Sequence, residues 1–140
     1  MKVFVDENVL VSVLNKEYPL FTQSARILSL AGSKNFEIYT SPICLAIAFY
    51  FAEKKFKAVN AKEKIAILCQ HIKIAEATNT TVRKALKNKS VLYFEDGLEY
   101  YAAEENDCDC IVTENIADFH FATIEVLNCN QFFLKYMVKV

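Results

Sequence analysis

The chain has 140 residues, of which 54% are hydrophobic and 13% aromatic, and its formal net charge is −1. A chain of this length and apolar content can bury a core, which excludes a disordered protein. The sequence holds two Gly and two Pro and shows no linker or internal repeat, so we expect one domain over residues 1–140.

The N-terminal segment and the cysteines indicate a cytoplasmic protein without a membrane anchor. The apolar run of residues 3–5 ends at Asp6 and is too short for a signal peptide or a membrane span. The five cysteines include no Cys-x-x-Cys pair, so neither a disulfide framework nor a zinc site is supported. We expect them to be reduced, and we expect Cys108 and Cys110 to pack in the core.

In the N-terminal half, short apolar runs alternate with segments of helical periodicity. The predicted elements are strands at residues 2–5 and 36–39 and helices at residues 8–15, 21–30 and 42–55. Gly32 is a suitable stop for the second helix. Ser41 and Pro42 suit the N-cap and the first position of the third.

The C-terminal half continues the same alternation. Residues 61–77 have helical spacing that can break near residues 72–74 into a short strand. Thr80 or Thr81 can cap the next helix. The remaining predicted elements are helices at residues 80–88, 94–106 and 131–136 and strands at residues 110–112 and 124–127. Strands alternating with helices predict an α/β fold with a mainly parallel central sheet.

Charge is divided unevenly along the chain. Residues 54–89 hold ten Lys or Arg and two acids, whereas residues 90–134 hold ten acids and no base. Crowded carboxylates repel one another, so they either spread into solvent or are joined by a cation. Lys54, Lys55 and Lys57 are candidate contacts for nucleic-acid phosphates, and the alternative is that the lysines form solvated helix faces.

Polar residues directly follow two predicted strands. Asp6 follows the first strand, Thr113 and Asn115 follow the strand at residues 110–112, and Asp96 begins a helix. Ligands of parallel sheets bind beyond the carboxyl ends of the strands, where the strand order reverses. We therefore expect Asp6, Asp96 and Asp118 to converge there, although Asp6 could simply cap a helix and Asp118 could be a turn residue.

Three or four carboxylates with an amide or hydroxyl between them form an oxygen-only site. Such a site suits Mg²⁺ or Mn²⁺ better than zinc. These ions support in-line displacement at phosphorus by a deprotonated water. The reaction that fits is phosphodiester hydrolysis.

Three segments, in this order and spacing, resemble motifs of the PIN-domain family. Residues 3–10 contain an Asp-x-Asn-Val-Leu motif after the first strand, residues 94–103 form a helix with an acid at Asp96, and residues 111–119 contain a Thr-x-Asn-x-x-Asp-Phe motif. Many members of this family are the ribonuclease toxins of VapC-type toxin–antitoxin pairs. The resemblance covers nearly the whole chain and implies a flavodoxin-like three-layer α/β/α sandwich.

The resemblance also implies an activity and a set of site residues. It implies a metal-dependent endoribonuclease that hydrolyses RNA with metal-activated water, forms a homodimer and is inhibited by an antitoxin protein. The implied metal ligands are Asp6, Asp96 and Asp118. The implied supporting residues are Asn8, Thr113 and Asn115.

One acid of the family pattern is missing here. The family has a second acid on the helix after the second strand, but residues 40–50 contain no carboxylate, and Ile47 or Ala48 occupies that position. Glu7 and Glu99 are the candidate substitutes. We favour Glu99 as a further catalytic residue, because it lies three residues after Asp96 and so on the same helix face. Glu7 is expected to point into solvent.

Two other functions fit parts of the sequence. The missing acid at Ile47 favours a catalytically impaired PIN scaffold that acts as a nucleic-acid or protein interaction module. Asp6 followed by Asn8 after a first strand could also indicate an aspartyl nucleophile, as in phosphatases of the haloacid dehalogenase type. That chemistry needs a second acid in place of Asn8 and a lysine in the base-free segment, so we rank it last.

Overall fold

The computed structural model describes residues 1–138. Residues 139 and 140 lie outside the described residues, so the prediction that residues 1–140 form one domain stays a prediction. Within residues 1–138, the helices are too short or too polar to span a lipid bilayer.

A parallel sheet forms the centre of the molecule. Its strands are β1 (Lys2–Val5), β2 (Glu37–Thr40), β3 (Lys73–Ile74), β4 (Cys110–Val112) and β5 (Glu125–Leu127), in the order β3-β2-β1-β4-β5. Phe4 in β1 pairs with Tyr39 on one side and Ile111 on the other. The chain runs outward from β1 to β3 and then returns to β4, so the strand order reverses between β1 and β4.

The helices are α1 (Glu7–Leu14), α2 (Leu20–Ser29), α3 (Pro42–Lys55), α4 (Ala58–Cys69), α5 (Asn79–Lys87), α6 (Phe94–Glu105) and α7 (Cys129–Phe132). Helix α1 packs on α2 and α3, α3 packs on α4, and α5 packs on α6. Parallel crossovers are right-handed, so the connections from β1 to β3 lie on one face of the sheet and the return to β4 lies on the other. The predicted α/β fold with a parallel sheet is confirmed.

The core lies around β1 and β4, the two strands that flank the reversal. Their fully buried residues are Val3, Phe4, Val5, Cys110, Ile111 and Val112. Continuous apolar runs of this kind are typical of parallel strands covered on both faces. The ends of β1 and β4 are therefore rigid supports for the polar residues that follow them.

Helix α6 approaches α5 closely at Gly97. A Cβ at this position would lie 2.9 Å from Cγ1 of Val91 and 3.0 Å from Cβ of Ala85. The first distance is shorter than real Cβ contacts and the second is tighter than most of them, so a larger residue would have to displace Val91 and move α6 away from Ala85 of α5. Gly97 thus fixes the position of the helix that carries Asp96 and Glu99.

The structure changes several predicted element boundaries. The predicted break near residues 72–74 is confirmed by β3, and the preceding helix begins at Ala58. Thr78 caps α5, so the prediction of Thr80 or Thr81 was wrong. Thr78 and Thr81 form a capping box, in which each side chain bonds the backbone N–H of the other.

The C-terminal helix also begins earlier than the predicted residue 131. Helix α7 starts at Cys129 because Asn128 and Gln131 form a second capping box. A π-helical turn, Phe133–Met137, follows it.

Candidate metal centre

Asp6 lies at the point where the strand order reverses, between the ends of β1 and β4. Its side chain is 1% exposed. Oδ1 accepts the backbone N–H of Glu7 at 2.7 Å and so caps α1. Oδ2 accepts hydrogen bonds from Oγ1 of Thr113 at 2.7 Å and from Nδ2 of Asn8 at 3.2 Å. Asp6 is therefore both a helix cap and a buried carboxylate fixed by two other polar side chains.

Asn8, Thr113 and Asn115 join the end of β4 to α1. Oγ1 of Thr113 accepts hydrogen bonds from Nδ2 of Asn8 at 3.1 Å and from the backbone N–H of Asn115 at 3.0 Å. Oδ1 of Asn8 accepts the backbone N–H of Glu114 at 3.1 Å. The structure thus brings the three predicted supporting residues close to Asp6. Asn115 takes part through its backbone N–H, which bonds Thr113. Their role in catalysis stays a prediction.

Glu99 reaches the same place from α6 and is fully buried. Within residues 1–138, neither of its carboxylate oxygens has a hydrogen-bond partner. One ligand atom from each of Asp6, Glu7, Cys44 and Glu99 lies within 4.8 Å of the others. We call these four residues the acidic group.

Burial governs the protonation of this group. It raises the pKa of Glu99 well above its ordinary value, and the nearby Cys44, Asp6 and Asp96 raise it further. Burial also raises the pKa of Asp6, whereas hydrogen bonds from Glu99, in its protonated form, and from Thr113 and Asn8 oppose the rise. An ionised carboxylate can only accept hydrogen bonds. Asp6 and Glu99 can therefore form a hydrogen bond with each other only if one of them is protonated. A cation would remove this conflict.

Asp96 and Asp118 lie beside the acidic group rather than within it. Asp96 is in the first turn of α6 and is 8% exposed. Burial, together with Asp6, Asp118 and Glu95, raises the pKa of Asp96 to about 7. Asp118 lies in a 3₁₀ turn, Ile116–Phe119, and its charge also raises the pKa of Asp6. The three predicted metal ligands thus share one electrostatic environment, and their role as ligands stays a prediction.

Sequence reasoning missed one member of the acidic group, Cys44, and expected another, Glu7, to point into solvent. Cys44, in the first turn of α3, points its thiol at Oδ1 of Asp6 with an Sγ–Oδ1 distance of 3.9 Å. Burial and the charge of Asp6 raise the pKa of Cys44 to about 12. The signal for Cys44 was its spacing, because it lies three residues before Ile47 and so on the same face of α3.

Glu7 does not point into solvent as expected. Its Oε2 is buried, and it lacks a hydrogen-bond partner in the part of the chain that the structure describes. The expectation that adjacent residues point apart holds in a strand, but Asp6 ends β1 and Glu7 begins α1. Successive helical residues differ by only about 100° around the axis, so both side chains can face one centre.

The structure does not bring the three candidate lysines to the acidic group. Lys54, Lys55 and Lys57 lie at or beyond the C-terminal end of α3, whereas Cys44 lies at its start. Ten helical residues separate Cys44 from Lys54, which is about 15 Å along the axis. The ammonium group of Lys55 bonds the carbonyl of Asn15, and that of Lys54 lies 4.2 Å from the ring centre of Tyr50. Their contact with nucleic acid stays a prediction.

The sequence of this chain also matches a known protein family. A family model described as "PIN domain" matches residues 2–117 of the chain. The chain belongs to the PIN-domain family. The resemblance found in the sequence is therefore confirmed, and the haloacid dehalogenase alternative is wrong.

Proteins similar to this PIN-domain chain include one named as a ribonuclease and one named as a toxin. It is 27% identical over 137 residues to ribonuclease VapC1 of Aquifex aeolicus, covering 94% of this chain and 92% of the relative. Among solved structures, VapC20 of Mycobacterium tuberculosis, named as a toxin that cleaves the sarcin–ricin loop, has a TM-score of 0.66 at 16% identity. That match covers 88% of this chain and 98% of VapC20.

Two further solved structures are VapBC complexes. VapBC2 of Rickettsia felis, bound to a promoter DNA fragment, has a TM-score of 0.69 at 21% identity and covers 91% of this chain and 98% of the matched chain. VapBC-1 of nontypeable Haemophilus influenzae has a TM-score of 0.70 at 15% identity and covers 93% and 99%. These matches confirm the predicted three-layer PIN fold.

The residues of the PIN-domain centre fit a divalent cation. The two oxygens of Glu99 and Oε2 of Glu7 are buried and, among the described residues, make no hydrogen bond. Buried carboxylates without partners are costly unless a positive charge joins them. A cavity of about 520 Å³ elsewhere, near the C-terminal ends of α1 and α4, is lined mainly by apolar residues, together with Lys16, Ser29, Lys64 and His71. It contains no member of the acidic group.

Proposed function

We propose that this PIN-domain protein is a metal-dependent endoribonuclease of the VapC type, which hydrolyses RNA phosphodiester bonds with metal-activated water. The observation that carries the proposal is Glu99, a fully buried carboxylate whose two oxygens lack partners within residues 1–138 and which lies beside Asp6 at the reversal of the strand order. Similarity to ribonuclease VapC1 and to a toxin named for cleaving the sarcin–ricin loop supports RNA as the substrate.

Mg²⁺ or Mn²⁺ would be held by Asp6 and Glu99, with Asp96 and Asp118 as the further predicted ligands. When bound, such an ion supplies positive charge that acidifies a water and offsets charge on the phosphate. The chain's own residues prepare the centre. Thr113 and Asn8 fix Oδ2 of Asp6, and the N–H of Glu7 fixes Oδ1, so this carboxylate is oriented before the ion arrives.

The proposal is tested by Mn²⁺ titration calorimetry together with cleavage of a mixed RNA pool. We expect Asp96→Asn and Glu99→Gln to lose Mn²⁺ affinity and cleavage together. Glu104→Gln is the matched control. Glu104 lies on the same helix, but its Oε1 faces Nζ of Lys84 at a distance of 3.6 Å. A wild-type protein that binds no Mn²⁺ at millimolar concentration and cuts no RNA would contradict the proposal.

A catalytically impaired PIN scaffold is the second candidate. The observation in its favour is that α3 contributes the thiol of Cys44 to the acidic group, while Ile47 and Ala48 carry no acid. Such a protein would bind nucleic acid or a protein without cutting RNA. Gel-shift binding of RNA in Mn²⁺, without cleavage products over many hours, would favour the scaffold over the enzyme.

We also infer the partners that a VapC-type ribonuclease would have. The VapBC complexes among the similar structures support an antitoxin protein that inhibits the enzyme, and the RNA substrate supports a cytoplasmic location. We expect a homodimer, with a sedimentation mass of twice 16.0 kDa. Expression without an antitoxin should arrest bacterial growth, and Glu99→Gln should relieve the arrest. A monomeric mass, or arrest that persists in Glu99→Gln, would contradict these inferences.

A further inference from the structure

The acidic group contains one sulfur among its oxygens. Sγ of Cys44 lies 3.9 Å from Oδ1 of Asp6, and it lies within 4.8 Å of one carboxylate oxygen from each of Asp6, Glu7 and Glu99. In a tetrahedral zinc site, with a sulfur ligand near 2.3 Å and an oxygen ligand near 2.1 Å, these two atoms lie about 3.6 Å apart. The thiol and the carboxylate are therefore almost at the spacing of two ligands of one ion.

Glu99 provides independent evidence that the group is built for a ligand. Glu99 is fully buried and is a member of the acidic group. Neither of its carboxylate oxygens has a hydrogen-bond partner in the described chain. A buried carboxylate needs either a proton or a cation. The thiol of Cys44 is directed at the same centre, so a cation placed there would contact both.

The local structure of α3 holds Cys44 in place. Its backbone N–H donates to Oγ of Ser41, the N-cap of the helix, at 3.2 Å. Helix α3 has 14 residues, and its N-terminal end favours negative charge, including that of a thiolate. The position is thus fixed by a cap and by burial rather than by the flexible end of a long side chain.

We propose that Cys44 is a metal ligand of this centre, in place of the carboxylate that α3 lacks, and that the centre binds Zn²⁺ and Co²⁺ more tightly than Mg²⁺ and Mn²⁺. The inference rests on the proposed function insofar as both use one metal centre. Thiolate ligands select zinc-like ions, whereas carboxylates alone suit Mg²⁺ and Mn²⁺. Asp6, Glu7, Cys44 and Glu99 would all be ligands of the ion, which would leave less room for the water that cleavage needs. Zn²⁺ therefore inhibits RNA cleavage supported by Mn²⁺.

Cobalt absorption tests this inference directly. Metal-free full-length protein, kept reduced with a non-chelating phosphine, is titrated with Co²⁺. We expect a thiolate-to-cobalt charge-transfer band in the near ultraviolet that saturates at one equivalent and disappears on adding Zn²⁺. The band should be absent in Cys44→Ser and present in Cys69→Ser, the matched control, because Cys69 lies at the end of α4 outside the acidic group.

Zinc calorimetry provides the second measurement. Cys44→Ser should weaken Zn²⁺ binding at least about tenfold, as the loss of even an indirect partner of a metal does. Its Mn²⁺ affinity should change less. If Cys44→Ser does not fold, Glu99→Gln replaces it, because loss of the cobalt band in that variant places the thiolate at this centre.

The outcomes separate this inference from the proposed function. A wild-type protein that binds Mn²⁺ and cuts RNA but gives no cobalt–thiolate band overturns the role of Cys44 and leaves the ribonuclease standing. A band that depends on Cys44, in a protein that cuts no RNA with any metal, supports the ligand and refutes the ribonuclease. A band that persists in Cys44→Ser assigns the sulfur to another cysteine and overturns the inference.

Discussion

A carboxylate oxygen of Asp6 and one of Glu99 lie within 4.8 Å of each other, and neither side chain is more than 1% exposed. Asp6 comes from the end of β1 and Glu99 from the middle of α6, two elements 93 positions apart in the chain. Two negative charges this close in a buried place oppose folding unless a proton or a cation neutralises one of them. This repulsion lowers the free energy of unfolding, and the burial of the core must offset it.

The first prediction is that Glu99→Gln stabilises the metal-free protein. The substitution removes a buried charge and supplies an amide that can donate to Asp6, a bond to a charged group worth about 1.5–3 kcal/mol. We expect the free energy of unfolding at pH 8 to rise by about 1–3 kcal/mol in chelator. Glu104→Gln, at a partly exposed residue of α6 that pairs with Lys84, should change it by less than about 0.5 kcal/mol. A metal-free Glu99→Gln protein less stable than wild type would contradict the repulsion.

The second prediction concerns the pH dependence of stability without metal. The folded-state pKa values of Asp6, Asp96 and Glu99 are all raised, and that of Asp96 is about 7 against an ordinary 3.8. The folded protein thus binds more protons than the unfolded chain between these values. Its free energy of unfolding should fall as pH rises from 4 to 7, by about 1.4 kcal/mol per pH unit for each extra proton held.

Urea unfolding in chelator at several pH values measures this slope. Glu37 and Glu125, whose pKa values are lowered by Lys73 and Lys135, act in the opposite direction but are ion pairs near the surface. Exposed pairs contribute little, so they should not reverse the slope. Asp96→Asn should flatten it, and saturating Mn²⁺ should remove it. A metal-free protein that becomes more stable from pH 5 to pH 7 would refute the prediction.

The sequence predicted the edge of the sheet that carries the site, but not all of its members. Asp6 and Thr113 were predictable because continuous apolar runs mark β1 and β4, and the residue after a parallel strand must lie at its carboxyl edge. Cys44 received no role in the sequence analysis, and it is buried, as cysteines often are. Burial alone, however, does not say that its neighbours are carboxylates. That information depends on how α3 packs beside α1, which periodicity does not contain.

The charge pattern of the lysines shows a second limit. Ten bases in residues 54–89 suggested a polyanion contact, but composition carries no distance. Because α3 runs away from the acidic group, Lys54 lies about 15 Å along its axis from Cys44.

The prediction of helix caps from the sequence was limited for a similar reason. Several threonines are equivalent by residue type, and only the reciprocal bonds of Thr78 and Thr81 select one of them.

The third prediction is that the hydroxyl of Thr113 is needed to orient Asp6. Thr113→Val keeps the shape of the side chain but removes the donor to Oδ2 of Asp6 and the acceptor of the Asn115 N–H. We expect a loss of stability of about 1–3 kcal/mol and a 10–100-fold weaker affinity for Mn²⁺. Thr113→Ser restores the hydroxyl at the loss of one buried methyl, about 1 kcal/mol, and should restore Mn²⁺ binding. Equal Mn²⁺ affinities for the Val and Ser variants would show that this hydroxyl does not act on the metal.

The fourth prediction is that Ile47→Glu supplies the acid that α3 lacks. Ile47 is half-buried and follows Cys44 by three residues, so a glutamate there projects from the face of α3 that meets the acidic group. A further carboxylate should tighten Mn²⁺ binding by about tenfold, since ligand charge sets the affinity of such sites. Without metal it should destabilise the protein, because it adds one more charge to those of Asp6 and Glu99.

Ala46→Glu is the matched control for this change. Ala46 is exposed, and because it precedes Ile47 by one residue, its side chain projects from a different face of α3. Mn²⁺ calorimetry and RNA cleavage at limiting Mn²⁺ compare the two variants with wild type. Tighter Mn²⁺ binding and faster cleavage in Ile47→Glu alone would show that the natural chain is an attenuated nuclease. Its reduced activity would then result from the missing carboxylate at one position of α3. If both glutamates act alike, the gain comes from net charge and not from a ligand, and the scaffold interpretation can no longer be based on Ile47.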